Sequence, residues 1–158
     1  MQLTTCLWFD GRAREAANYY VETFPGSKLK DNWITPVETP GNAPETEVTV
    51  DFEMFGQQFI ALNGGPAFKF SEAVSFVIPC KDQDEVDYYW DKLITDGGEP
   101  SQCGWLKDKF GLSWQVVPDE MGQYIGGPDP DGAKRAVQAM LEMTKIDLSV
   151  LRAAYEGS

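Results

Sequence analysis

Apolar and polar positions along the chain follow two rhythms. In residues 46–54, TEVTVDFEM, they alternate with a period of two. A strand there puts Val48, Val50, Phe52 and Met54 on one face and Glu47, Thr49, Asp51 and Glu53 on the other. In residues 12–24, Ala17, Tyr20, Val21 and Phe24 recur at three-and-four spacing, which predicts a helix with Asp10 as N-cap and Pro25-Gly26 as the stop. The spacing returns at Val86, Tyr89, Trp90 and Leu93, predicting a second helix over 83–94. Asp82 and Glu85 have the positions of a capping box, and Gly97-Gly98 end the segment. Strand-like runs precede both helices, LTTCLWF and AVSFVIPC.

The chain also echoes itself. Residues 55–63 read FGQQFIALN and residues 110–118 read FGLSWQVVP. Upstream, Asn18-Tyr19-Tyr20 is matched by Asp87-Tyr88-Tyr89. In the first unit Gly56 turns the 46–54 strand into QFIALN, and in the second Gly111 turns CGWLKDKF into SWQVV. Each unit therefore reads strand, helix, then about three strands. The expected fold is α+β, with one βαβββ module at about 1–64, another at about 72–120, and a helical C-terminal extension at about 121–158. In that extension Asp129 caps a helix with Pro130 at its first position. A last helix starts near Asp147, with Ile146 and Leu151 placed as a hydrophobic staple. Val137, Met140, Leu141, Leu148 and Leu151 then cover either a sheet or a partner chain.

Composition narrows the function classes. The 158 residues suit one domain that buries roughly 70% of its unfolded surface. No apolar run reaches the ~18 residues of a membrane span, and MQLTTCLWFD lacks the pattern of a signal peptide. Cys6, Cys80 and Cys103 cannot all pair within one chain, which fits a reduced, cytoplasmic compartment. A net charge of −12 without a basic cluster argues against nucleic acid as a partner. The chain has no histidine, which removes Ser-His-Asp and Cys-His schemes. Gly64-Gly65 lacks the Lys-Ser/Thr of a phosphate-binding loop and reads as a linker, with Phe68 and Phe70 as candidate lid residues.

Paired βαβββ modules with a Tyr-Tyr in each helix resemble the vicinal oxygen chelate superfamily, which includes glyoxalase I and bleomycin-resistance proteins. Within it, ALNGGPAFKF, AVSFVIPC, DEVDYYWDKL and CGWLKDKFGLSWQVVP resemble the PhnB-like branch. The resemblance implies curved mixed sheets that wrap a cavity, commonly in a homodimer. It also implies a divalent metal, held by side chains on the first and last strands of each module and acting as a Lewis acid. Carried over, those positions fall at Thr5, Ile60, Val74 and Gln115: a hydroxyl, two aliphatic groups and an amide. No metal and no other cofactor is therefore expected. Members of the branch also carry the label demethylubiquinone methyltransferase. The glycine pairs here lie at module ends, not in the strand-to-helix loop that binds a methyl donor.

The expected function is metal-independent binding of a small molecule, with Thr5, Asp51, Glu53, Trp105 and Gln115 as cavity candidates. Strand alternation from the inferred ligand positions turns Trp8 and Trp114 toward the helices and leaves Trp105 at the cavity or its mouth. Cys6 reads as a buried structural thiol. Two other readings stay open. One is an enzyme using Asp51 or Glu53 as a base or as ligands of an unusual cation. The other is a structural dimer whose cavity is vestigial.

Overall fold

The computed structural model describes residues 1–158, which fall into two compact units, Met1–Phe70 and Ser71–Ser158. In the first, the alternating run is the strand β3 (Thr46–Met54). It sits in a four-stranded sheet with β1 (Thr5–Phe9), β2 (Lys28–Thr35) and β4 (Gln57–Asn63), in the order β1-β4-β3-β2. β1 runs parallel to β4 and the other pairs are antiparallel, so the sheet is mixed. The helix α1 (Ala13–Thr23) covers the apolar face. There Tyr20 stacks on Phe52 at 5.9 Å, and Phe52 on Phe59 at 5.3 Å.

Asp10 does not cap α1. The boundary residue is Arg12, without a capping side-chain bond, and the Ala13 amide donates instead to Asn63 Oδ1 at 2.9 Å. A side chain on β4, distant in sequence, thus does what a local cap does elsewhere. β2 is an edge strand exposed along its length except at Thr35, with two register shifts against β3. It therefore lacks the alternation that marks a half-buried strand.

The second unit repeats the plan. The strands β5 (Ser75–Cys80), β6 (Glu99–Pro100), β7 (Trp105–Lys107) and β8 (Ser113–Pro118) form a sheet in the order β5-β8-β7-β6. Again the first strand is parallel to the last. The helix α2 (Gln83–Ile94) buries Val86, Tyr89, Trp90 and Leu93, the predicted face. Asp82 Oδ1 accepts the Glu85 amide at 3.0 Å, while Glu85 reaches back to the Lys81 amide at 2.9 Å, one residue beyond a standard capping box. The fold is α+β, two mixed four-stranded sheets with helices. The two Phe-Gly echoes are its equivalent hairpin turns, with Gly56 and Gly111 both left-handed (φ 75° and 86°).

Three helices follow: α3 (Met121–Ile125), α4 (Pro130–Leu141) and α5 (Leu148–Glu156). Asp129 and Asp147 cap the last two as expected, accepting the amides of Asp131 at 3.2 Å and Ser149 at 2.9 Å. Ile146 and Leu151 are fully buried in one cluster with Tyr124, Ala136 and Leu148. This cluster is tied to α2 and to the turn that leads into β7. Gln83 donates to the Ile146 carbonyl at 3.0 Å and accepts the Leu148 amide at 2.9 Å. The Cys103 and Gly104 amides donate to the Met143 and Thr144 carbonyls at 2.9 and 2.7 Å.

Candidate functional site

The second sheet has a buried face and a face that bounds a cavity. Ile78, Cys80, Leu106, Trp114 and Val116 alternate toward α2. Ser75, Val77, Trp105, Lys107, Ser113 and Gln115 therefore take the other side. In register, Trp105 sits beside Gln115 and Gln115 beside Val77, while Lys107 sits beside Ser113 and Ser113 beside Ser75. A cavity of about 380 Å³ opens here, lined by Trp105, Lys107 and Ser113, by the 101–103 turn, and by Glu72. That volume lies within the ~300–1,000 Å³ range of small-molecule sites.

The polar groups in and beside this cavity are unequally satisfied, Gln115 and Ser75 lying beside the lining. Gln115 donates to Ser75 Oγ at 3.0 Å. Lys107 forms an ion pair with Glu72, which raises the ammonium pKa and lowers that of the carboxyl. Ser113 is only 1% exposed, and its hydroxyl has no hydrogen-bond partner in the protein. The strands that carry these groups are fixed by Asp108, a buried carboxylate in the β7–β8 turn. It accepts the Phe110 and Leu112 amides at 2.9 and 3.1 Å and the Trp114 indole N–H at 2.9 Å.

A family model described as 3-demethylubiquinone-9 3-methyltransferase matches residues 1–117. The chain belongs to this family. Among solved structures it is similar to a PhnB protein from Bacillus cereus, provisionally described by the same methyltransferase name. The two are 29% identical with a TM-score of 0.66 over 75% of this chain and 99% of that one. Protein PA1353 from Pseudomonas aeruginosa shares the fold at 20% identity and a TM-score of 0.59, over 75% of this chain and 97% of that one. No curated protein matches the chain. Its family model and its similarity to that PhnB protein make it PhnB-like.

Against that PhnB-like frame the predicted site residues separate. Trp105 lines the cavity, and Gln115 is its neighbour on β8. Thr5 lies on the face of Leu7 and Phe9, toward α1, so its expected placement is one residue out of register. Cys6 holds the opposite face beside Ile60, whose other neighbour is Asp51. Cys6 is exposed, not buried, and partial desolvation with the Asp51 carboxylate pushes its thiol pKa up. Glu53 shares the face of Asp51, but its carboxylate is engaged by Gln58 at 2.6 Å, Lys30 at 3.1 Å and Lys28 at 3.8 Å. Those contacts lower its pKa, led by the Gln58 hydrogen bond, and make it a poor base.

Trp8 also departs from expectation. It shares the face of Cys6, donates to the Gly65 carbonyl at 2.8 Å and meets Phe68 edge-on at 4.9 Å. A Cβ at Gly64 would lie 2.3 Å from the Trp8 ring, so the first of these linker glycines serves packing. Trp114 is core, as expected, and Phe70 packs edge-on against Phe9 at 5.4 Å.

The metal centre that the vicinal-oxygen-chelate resemblance implies would need donors beside the first and last strands. The register supplies Cys6 and Ile60 in the first unit and Val77 and Gln115 in the second. A thiol with a raised pKa, two hydrocarbons and an amide do not fit a divalent metal. No group of three or more Cys, Asp or Glu side chains is gathered as a metal site elsewhere. The sequence reasoning missed Lys107, Ser113 and Glu72. The two-residue spacing of Trp105 with Lys107, and of Ser113 with Gln115, was the signal that pointed to the first two.

Proposed function

We propose that the protein binds a small organic molecule in the cavity of its second unit, without a metal. The observation that carries this reading is a cavity of about 380 Å³ lined on one sheet face by the Trp105 indole and the Lys107 ammonium, with the unpaired Ser113 hydroxyl buried within that wall. Trp105 supplies a flat apolar surface, and Gln115 beside it is held by Ser75. On this reading Asp51 and Glu53 do not act on the ligand, and the methyltransferase in the family description is a name rather than the activity of this chain.

The chain is further proposed to work as a cytoplasmic homodimer. The supporting features are its reduced cysteines and the exposed Trp33, Ile34 and Val37 on and beside the edge strand β2. No helix is long and apolar enough to cross a membrane.

Native mass spectrometry of the purified protein tests the reading. The expected species carries no metal and retains an organic adduct that Trp105→Ala loses. A near-stoichiometric metal adduct would refute metal independence. An adduct unaffected by Trp105→Ala would refute the assignment to this cavity.

A further inference from the structure

The cavity's charges point to a ligand class. Resting on the binding reading above, we infer that the second-unit cavity takes a planar aromatic carboxylate, and that Glu72 occupies the anion's position on Lys107 until the ligand displaces it. Lys107 projects from a strand, beside the unpaired Ser113 hydroxyl in the β7–β8 register. The ammonium is a charge-assisted hydrogen-bond donor for a carboxylate oxygen. Trp105 lies two residues along the same strand on the same face, so a ring attached to that carboxylate lies against the indole.

The present partner of Lys107 is the weaker member of the pair. Glu72 belongs to the turn before β5 and is 61% exposed, whereas Lys107 is 34% exposed on its strand. The less solvated charge in the cavity is thus the positive one on the strand, and the more solvated one is the negative charge of the turn. Solvent-exposed ion pairs of this kind are weak, so a ligand anion that adds an aromatic contact displaces Glu72. The chain's net charge of −12 repels anions at long range, so the selectivity is local to Lys107.

The pairing gives each substitution its own sign. Glu72→Gln removes the competitor and is expected to tighten carboxylate binding several-fold. Lys107→Met is expected to weaken it by tenfold or more. A neutral isostere should ignore both charge changes. Isothermal titration of the full chain with 2-naphthoate and 2-naphthamide at pH 7.5 reads all of this. Thermal melts of each variant run alongside.

The expected result is naphthoate binding at least tenfold tighter than naphthamide in the wild type, with the gap widened by Glu72→Gln and closed by Lys107→Met. Equal affinities with no response to Glu72→Gln, an exposed turn position that leaves the fold intact, would overturn the carboxylate assignment. Binding of flat molecules would then survive, with naphthamide still lost in Trp105→Ala. No binding of either compound up to millimolar concentration overturns the inference and the binding reading together.

Discussion

Asp108 shows how much of the second unit hangs on one residue. Its two carboxylate oxygens satisfy two backbone amides of the β7–β8 turn and the buried Trp114 indole, within a side chain that is itself buried. Hydrogen bonds to a charged group each contribute roughly 1.5–3 kcal/mol, and their loss leaves buried donors open. Asp108→Ala is therefore expected to destabilise the protein by about 3 kcal/mol or more in urea denaturation. Asp108→Asn should cost about half as much, because one carbonyl oxygen still accepts the amides. A change below about 0.5 kcal/mol would refute that role. Cys80 is a contrasting case. Burial, aided by nearby Glu85, Asp119 and Asp82, pushes its thiol to about 12, so it behaves as a small apolar side chain.

Among the elements, the C-terminal helices act beyond their own cluster. The α4–α5 connection accepts the backbone amides of Cys103 and Gly104, and Ile146 Cγ1 lies 3.1 Å from where a Cβ on Gly104 would stand. The 101–103 turn is a wall of the cavity, so the helices brace that wall. Ile146→Ala should cost about 2–5 kcal/mol. Hydrogen exchange should show the Cys103 and Gly104 amides losing protection while the β5–β8 ladder keeps it; equal loss in both would refute a local brace. Elements of this kind were legible in the sequence where the signal was local. The helix at 83–94, the strand at 46–54 and the Asp129 and Asp147 caps depend on periodicity or on a neighbour two or three residues away. Three features were not legible, because each is set from outside its own segment. Asn63 caps α1 from another strand, β2 carries no buried face, and the register of β1 is fixed by its parallel partner β4. Of the cavity's lining, Trp105 was singled out in the sequence, whereas Gln115, carried over from the resemblance, stands beside the lining. The pairing of Lys107 with Glu72 joins a strand to a loop that periodicity does not reach.

For the whole molecule, the charge inventory sets the response to pH. There is no histidine among 25 acidic and 13 basic side chains, so no side chain of ordinary pKa titrates between about 6 and 8. Glu47 is held below its ordinary pKa by its Arg14 hydrogen bond, and Asp87 by its Lys145 partner. Groups lowered on folding add stability above their unfolded pKa of about 4, and that stability is lost as pH falls through the folded value. Thermal midpoints should thus be nearly flat from pH 6 to 8 and fall below about pH 4; a steep change near pH 6.5 would contradict this. The tie between residues 143–148 and the second sheet also orders events during synthesis. The first unit is complete in sequence at Phe70, so it can fold as soon as it clears the ribosome. The second unit's wall lacks its hydrogen-bond acceptors until Met143 and Thr144 are made, roughly 4–15 seconds later at ordinary elongation rates. A nascent chain halted after Pro118 but before Met143 would carry every strand of the second sheet without the carbonyls that brace its wall.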